Sequence, residues 1–496
     1  MKFIKIARLL CIAILAVACQ NVHSATRLPR VAPSAVGIDP HQVTLLYDSL
    51  LQSKLTEAHH LIVTVGGKVV CEMHPKPYKA EYKHTLYSVS KTFTATAVGL
   101  LVDDGLLSVD DELAKFFPEY ATYIKGVRIQ DLLTMRAGFK VETDIRMAKI
   151  DWVKSYLSRP LVNKPGEKFA YDSMATYMLS AVIQKITGKT TLELLNERVF
   201  HPMGIYDAEW EHCPKGIVVG GWGLYLSAES QAIFGQLLLN RGEWQGKQLV
   251  SRKWMNEMMT THVVDRYSDY GYQMWLSDYP GAWRADGAYG QYIITVPQKD
   301  MVIVLNECAR SNGITERNYF WNTIVKHCMG WEIDTTPDAI KAWSDYEATA
   351  SLPVLDGERD NDLSKKIFGK KFELEENRLE WKSIKLNRKD NNVSLEYVDK
   401  DNNKSTIEMG YKEWITSQLA GTPHYSLIVE SRFSTLSRPF FTGSCYAWQN
   451  EMLTAKIHYT NWITSLLLKF RLDDDGRLII DVQESFSNKP FTIKSK

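Results

Sequence analysis

The sequence carries almost no surplus charge: 59 lysines and arginines stand against 58 aspartates and glutamates, leaving a formal net charge of +1. Without a sustained positive field nothing would hold a phosphate backbone, and nucleic acid is not an expected partner. Cysteine is scarce. Beyond the N-terminal segment five remain, Cys71, Cys213, Cys308, Cys328 and Cys445, odd in number and without close spacing, so neither a disulfide framework nor a zinc motif is expected. The neighbours His59-His60 and His327-Cys328 read as ordinary strand or helix residues rather than ligands. Internal repeats and low-complexity segments are absent, and no stretch after the N-terminal segment is long and apolar enough to span a bilayer. What the chain does have is 45% hydrophobic and 24% charged residues over 496 positions. That is enough for a well-buried core, and the length predicts two to four domains, or one large enzyme domain with an appendage.

Lys2, Lys5 and Arg8 precede an apolar run over 9–18 that is about half of what a membrane-spanning helix requires, so residues 1–24 read as a signal peptide and the protein as exported. Two cleavage sites compete. Ala16-Val17-Ala18-Cys19 resembles a bacterial lipoprotein box with Cys19 as the lipidated residue; ordinary cleavage in the small-residue stretch Val22-His23-Ser24-Ala25 is the alternative. The first predicts a periplasmic or membrane-anchored lipoprotein.

From Leu61 to Glu72 two β-rich runs flank Gly66-Gly67, the pattern of a hairpin with a primed turn. Helical spacing follows in Val89, Phe93, Ala97, Val98 and Leu101, and again in Met174, Met178, Val182 and Ile186 before Gly188. Strand signals return at Tyr270 to Leu276, Gln291 to Val296 and Met301 to Leu305, and a helix-like stretch runs through Trp321 to His327. Strand, helical insertion, strands and helix make an α+β domain over about 30–334. Residues 335–362, with Pro337, Pro353 and the polar run from Asp356 to Asp362, read as a linker. The remainder, 363–496, alternates short apolar and polar runs between Asn-, Asp- and Gly-rich turns, as in a small all-β sandwich or barrel. Its tryptophans Trp381, Trp414, Trp448 and Trp462 fit core positions better than a sugar-stacking face.

Ser88-Val89-Ser90-Lys91 places a hydroxyl and an amine one helical turn apart, on one face. A serine is a weak nucleophile until its proton is taken, and a lysine beside it can take it. It is the only Ser-x-x-Lys in the chain. The segment from Leu86 to Thr94 follows the hairpin and opens a helix, and it resembles the nucleophile motif of the serine β-lactamase and penicillin-binding-protein superfamily, nearest the branch of class C β-lactamases and related esterases. Gly105-Leu106-Leu107-Ser108-Val109-Asp110-Asp111, Asp131 to Gly138, Pro165-Gly166 and Pro202-Met203-Gly204 continue the likeness in order, over about residues 35 to 330.

The resemblance implies a β-lactamase-like antiparallel sheet with a large helical insertion, and an acyl-enzyme mechanism requiring no metal or cofactor. It implies a second motif, Tyr-x-Asn, matched by Tyr171-Asp172-Ser173 with Ser in place of Asn; there Tyr171 would shuttle protons, its pKa lowered by a neighbouring ammonium. Asp172 or Ser173 could instead cap the next helix. A third motif, Lys- or His-Thr-Gly, is matched by Ala285-Asp286-Gly287-Ala288, without its cation. Gly287 would let substrate lie on the strand, Ala288 N–H would join that of Ser88 in an oxyanion hole, and Asp286 is either a substrate contact or a loop residue. Thr442-Gly443-Ser444 matches by spelling but falls in the all-β region, and Trp222 in Gly220-Gly221-Trp222-Gly223 fits core packing better than the cleft. The missing cation and Tyr-x-Ser bring the chain near the esterases and 6-aminohexanoate oligomer hydrolases. The expected substrate is a small molecule or peptide-like compound with an ester or amide bond. A β-lactamase, a D-alanyl-D-alanine carboxypeptidase and a penicillin-binding sensor that does not turn over are the rivals.

Overall fold

The computed structural model describes residues 25–141, 151–265, 268–310, 313–328, 333–424, 432–433, 435–487 and 489–496. The signal segment and Cys19 lie outside them. Among the described residues no helix is long and apolar enough to cross a membrane.

The architecture is α+β. A six-stranded antiparallel sheet runs in the order Lys68–Met73, Ala58–Val65, Met301–Glu307, Gln291–Val296, Trp283–Gly287 and Trp275–Leu276. Its first hairpin turns through Gly66 and Gly67, at φ 56° and 71°, which is why two glycines stand there. The strands alternate faces. Leu61, Val63, Ile303, Leu305 and Ile294 point to an outer layer with the helix Pro40–Leu51. Ile62, Val302, Val304, Ile293 and Ala285 point to the helical domain. There Gly235 of the helix Ala228–Leu239 sits against the sheet so closely that a Cβ would collide with Val302. Within 270–276 only Trp275–Leu276 is a strand, because Gln273 turns the chain at φ 59°.

The stretch expected as a linker contains a helix, Pro337–Thr349. Pro337 starts it rather than breaking the chain, since an N1 residue needs no N–H, and Thr336 caps it by accepting from Ala339 N. The helix carries no fully buried residue, so its apolar signal is faint. It lies on Pro40–Leu51, where Tyr346 bonds Asp48 and Tyr47 bonds Glu347, and so it belongs to the outer layer of the sheet.

The C-terminal unit is all-β. A ten-stranded sheet runs from Lys371–Glu373 to Phe491–Lys494, antiparallel except where Lys404–Tyr411 meets Phe440–Gln449. A Leu374–Ser495 bridge joins its two ends, closing it as a barrel. Trp381, Trp448 and Trp462 are buried, as core residues should be. The barrel does not hang free: Gly443 presses on Pro77 so tightly that a Cβ would overlap it, and Tyr87, Tyr225 and Cys308 of the first unit share the barrel's apolar core.

Candidate active site

The helix Ser90–Asp103 is buried without a break from Ser90 to Leu101. Thr92, Thr94, Thr96 and Val98 are poor helix formers, so tertiary burial rather than propensity holds it. Its hydroxyls reach outward to the loops around the site: Thr92 Oγ1 donates to the Gln273 carbonyl at 2.9 Å and Thr94 Oγ1 to that of Gly220 at 3.0 Å. Ser88 lies in the 3₁₀ turn Tyr87–Val89 that leads into this helix. The turn is anchored on both sides, by Leu86 N donating to Leu224 O and Leu224 N donating to Ser90 Oγ. Ser90 is thereby occupied in structure, while Ser88 stays partly accessible.

Lys91 is 1% exposed. Its Nζ stands 2.8 Å from Ser88 Oγ, 2.9 Å from Ser173 Oγ and 2.7 Å from the Gly221 carbonyl. As a neutral amine it would donate to the last two and accept the proton of Ser88. Ser173, third in Tyr171-Asp172-Ser173, is thus brought against the Lys91 amine. Asp172 is the cap of the helix Ser173–Thr187, accepting from Met174 N at 2.9 Å. Gly221 had no local signal as a lysine partner; a Cβ there would strike the Ser173 carbonyl. Trp222 lies in the core beside Trp152, with ring centroids 5.8 Å apart.

Tyr171 corrects one expectation. Burial pushes its phenol up, against the pull of its hydrogen bond to Ser88, and the Asp286 carboxylate adds to the rise. Lys91 Nζ lies over the ring, 4.8 Å from its centroid, and the net shift is upward, so a lowered pKa is not what this site supplies. Near neutral pH Tyr171 is a protonated phenol, a donor rather than a base. Its ring stacks on Trp275 at 5.6 Å, forming an aromatic wall.

The strand Trp283–Gly287 runs past the nucleophile turn, and Gly287 is required there because a Cβ would overlap the Leu86 carbonyl. Its pairing with Gln291–Val296 is regular, without a bulge. Ala285 thus faces the helical core, and Arg284 and Asp286 face the other way. Arg284 Nε donates to Asp286 Oδ2 at 2.8 Å and its NH1 to the Leu276 carbonyl, so the guanidinium is engaged on the face of the strand opposite Ala285. Asp286 serves as the partner of Arg284. Ala288 is exposed at the strand end. Thr442-Gly443-Ser444 lies in the barrel strand Phe440–Gln449 against Pro77, apart from these residues.

Two residues beside the expected oxyanion donors escaped the sequence reading. Tyr87 precedes Ser88 at φ 46°, and Tyr289 follows Ala288 at φ 63°. Their rings lie 5.5 Å apart, and each rests on one barrel aromatic, Tyr87 on Trp462 at 5.5 Å and Tyr289 on Phe486 at 5.9 Å.

The comparisons with known proteins agree with this geometry. The Beta-lactamase family model matches residues 51–307. The 6-aminohexanoate-dimer hydrolase of Paenarthrobacter ureafaciens is 23% identical over 287 residues, which cover 51% of this chain and 73% of that one. Penicillin-binding protein 4* of Bacillus subtilis is 25% identical over 141 residues, 26% of this chain and 31% of its own. The solved structure of EstCE1, a hydrolase with promiscuous acyltransferase activity, superposes with a TM-score of 0.50 at 15% identity, covering 59% of this chain and 99% of that one. That likeness is one of fold. The pair of Ser88, in the turn that opens a buried helix, and Lys91, on that helix, is thus found within a match spanning more than half of the sequence, and the chain belongs to the Beta-lactamase family, in the superfamily of serine β-lactamases and penicillin-binding proteins.

Proposed function

We propose that the protein is an exported serine hydrolase that cleaves an ester or small amide through an acyl-enzyme on Ser88. The observation that carries this reading is Lys91 Nζ at 2.8 Å from Ser88 Oγ, its other two bonds fixed by Ser173 and Gly221. Ser88 Oγ attacks the substrate carbonyl carbon and its proton passes to Lys91. The oxyanion is held between the N–H groups of Ser88 and Ala288, and the leaving group departs with a proton delivered through Tyr171. Water then loses a proton to the tyrosinate left at Tyr171 and attacks the acyl carbon, the bond from that carbon to Ser88 Oγ breaks, and Lys91 returns its proton to Ser88 Oγ at 2.8 Å. The name of the Paenarthrobacter relative supports a small amide as one substrate class.

Ala285 supports this reading over β-lactam hydrolysis. With no cation at 285, and with Arg284 held by Asp286 on the other face, one charge-assisted contact to a substrate carboxylate is missing. Such a contact is worth about 1.5–3 kcal/mol, or roughly ten- to a hundredfold. Short-chain ester turnover should therefore exceed nitrocefin turnover by at least about tenfold in kcat/KM. Ala285→Lys should narrow that gap, and Arg284→Ala should leave it unchanged. Efficient wild-type nitrocefin hydrolysis that collapses in Arg284→Ala would overturn the preference. For export, mass spectrometry of the mature protein is decisive: a lipidated chain beginning at Cys19 and partitioning into detergent is the expected form, and a soluble chain beginning at Thr26 would refute lipidation.

A further inference from the structure

Away from Ser88, the seam between the sheet and the barrel holds a second convergence of side chains. Glu57 immediately precedes the strand Ala58–Val65, His59 lies on it, and His458 comes from the barrel strand Met452–Tyr459. Oε1 of Glu57 stands 3.7 Å from Nε2 of His59 and 3.2 Å from Nδ1 of His458. The three ligand atoms lie within 4.8 Å of one another, and both histidines are fully buried.

Hydrogen bonds on the far side of His59 settle which nitrogen faces inward. His84 Nδ1 lies 2.9 Å from the Thr85 carbonyl, which can only accept, so that nitrogen carries the proton and Nε2 of neutral His84 is an acceptor. His59 Nδ1, 2.9 Å from His84 Nε2, must then donate. Neutral His59 is left pointing a bare lone pair at Glu57, and its Nε2 has no hydrogen-bond partner. A proton on His458 Nδ1 would satisfy the 3.2 Å contact, yet the His59 lone pair would still face a carboxylate at 3.7 Å, beyond hydrogen-bond range.

A cation between the three atoms resolves both contacts. Metal–ligand bonds of about 2.0–2.2 Å in tetrahedral geometry put neighbouring ligand atoms about 3.3–3.6 Å apart, a spacing that falls between the two observed here. The His59–His84–Thr85 chain is the kind of outer support that orients metal-bound imidazoles. Around the cluster, the Tyr78 ring stacks on His59 at 4.1 Å with its hydroxyl 3.2 Å from His458 Nδ1, and Lys456 Nζ holds the other Glu57 oxygen at 3.0 Å.

We propose that Glu57, His59 and His458 form a structural divalent-cation site of the zinc class that joins the barrel to the hydrolase unit. No local spacing announces it, because His458 lies far along the chain from the other two. Lys456 opposes the charge of the ion while orienting its carboxylate.

The test uses the full chain, stripped with chelator and titrated with Zn²⁺ against a chromophoric competitor. One equivalent should bind, and the ion should raise the Tm of the stripped protein by a few degrees. Glu57→Gln and His458→Gln should each weaken binding at least about tenfold and abolish the Tm rise, whereas Lys456→Gln should tighten it. Cobalt substitution of the wild type reads the ligand set by visible absorption without any variant having to fold. Wild-type protein that binds no zinc, or a His458→Gln protein that binds it as well as wild type, would overturn the site.

Discussion

Ser88→Ala should lower turnover by at least about 10³-fold and abolish labelling by a fluorophosphonate probe, with the fold intact. Lys91→Met should lower the acylation rate by about 10²–10⁴-fold, the range of a positioned general base. The geometry gives the reason for both. Lys91 Nζ lies 2.8 Å from Ser88 Oγ, the proposed nucleophile, while Ser173 Oγ at 2.9 Å and the Gly221 carbonyl at 2.7 Å hold the amine in place. Ser90→Ala is the matched control. Its hydroxyl accepts from Leu224 N at 3.1 Å, so its loss should cost about 1 kcal/mol of stability and leave labelling in place. Labelling that survives in folded Ser88→Ala but disappears in Ser90→Ala would mean that the wrong serine was assigned.

What was legible in the sequence was local. Ser88 and Lys91 share a turn, Gly66-Gly67 can only turn a hairpin, and Met174 to Ile186 before Gly188 is a helix with its stop, so each pattern carries its own structural cause. The rest depended on contacts between distant segments. The Gly221 carbonyl reaches Lys91 across 130 positions. The direction of the Tyr171 shift depends on the burial of the phenol and on the Asp286 carboxylate brought near it from a distant strand, and no spacing in a sequence contains that. Pro337 reads as a breaker until Thr336 is seen to cap the helix it starts. The barrel looked like an appendage because the residues joining it to Ser88 sit some 375 positions away.

That connection carries the second large expectation: Trp462→Leu, deep in the barrel, should lower kcat about 10- to 100-fold while KM changes little. Tyr87 and Tyr289 flank the two N–H groups assigned to the oxyanion, and both hold left-handed backbone, at φ 46° and 63°, which costs a residue other than glycine about 1 kcal/mol or more. Such a conformation persists only where its surroundings enforce it. Trp462, 0% exposed, is the floor of that enclosure: it meets Tyr87 at 5.5 Å and Tyr225 at 6.0 Å, with Arg432 and Phe433 around it at 5.2 Å and 5.0 Å. Leucine leaves a void into which Tyr87 can relax, carrying the Ser88 N–H away from the oxyanion. Complete loss of one such donor costs about 10²–10³-fold in kcat, and a displaced donor somewhat less. Affinity for a boronate that mimics the tetrahedral adduct should fall in parallel with kcat/KM. Trp448→Leu separates this role from mere stability, since Trp448 is also buried in the barrel but packs on Phe368 rather than on Tyr87. It should cost a comparable Tm and leave kcat and boronate affinity near wild type; equal losses of kcat in the two variants would show that the barrel does no more than hold the chain folded.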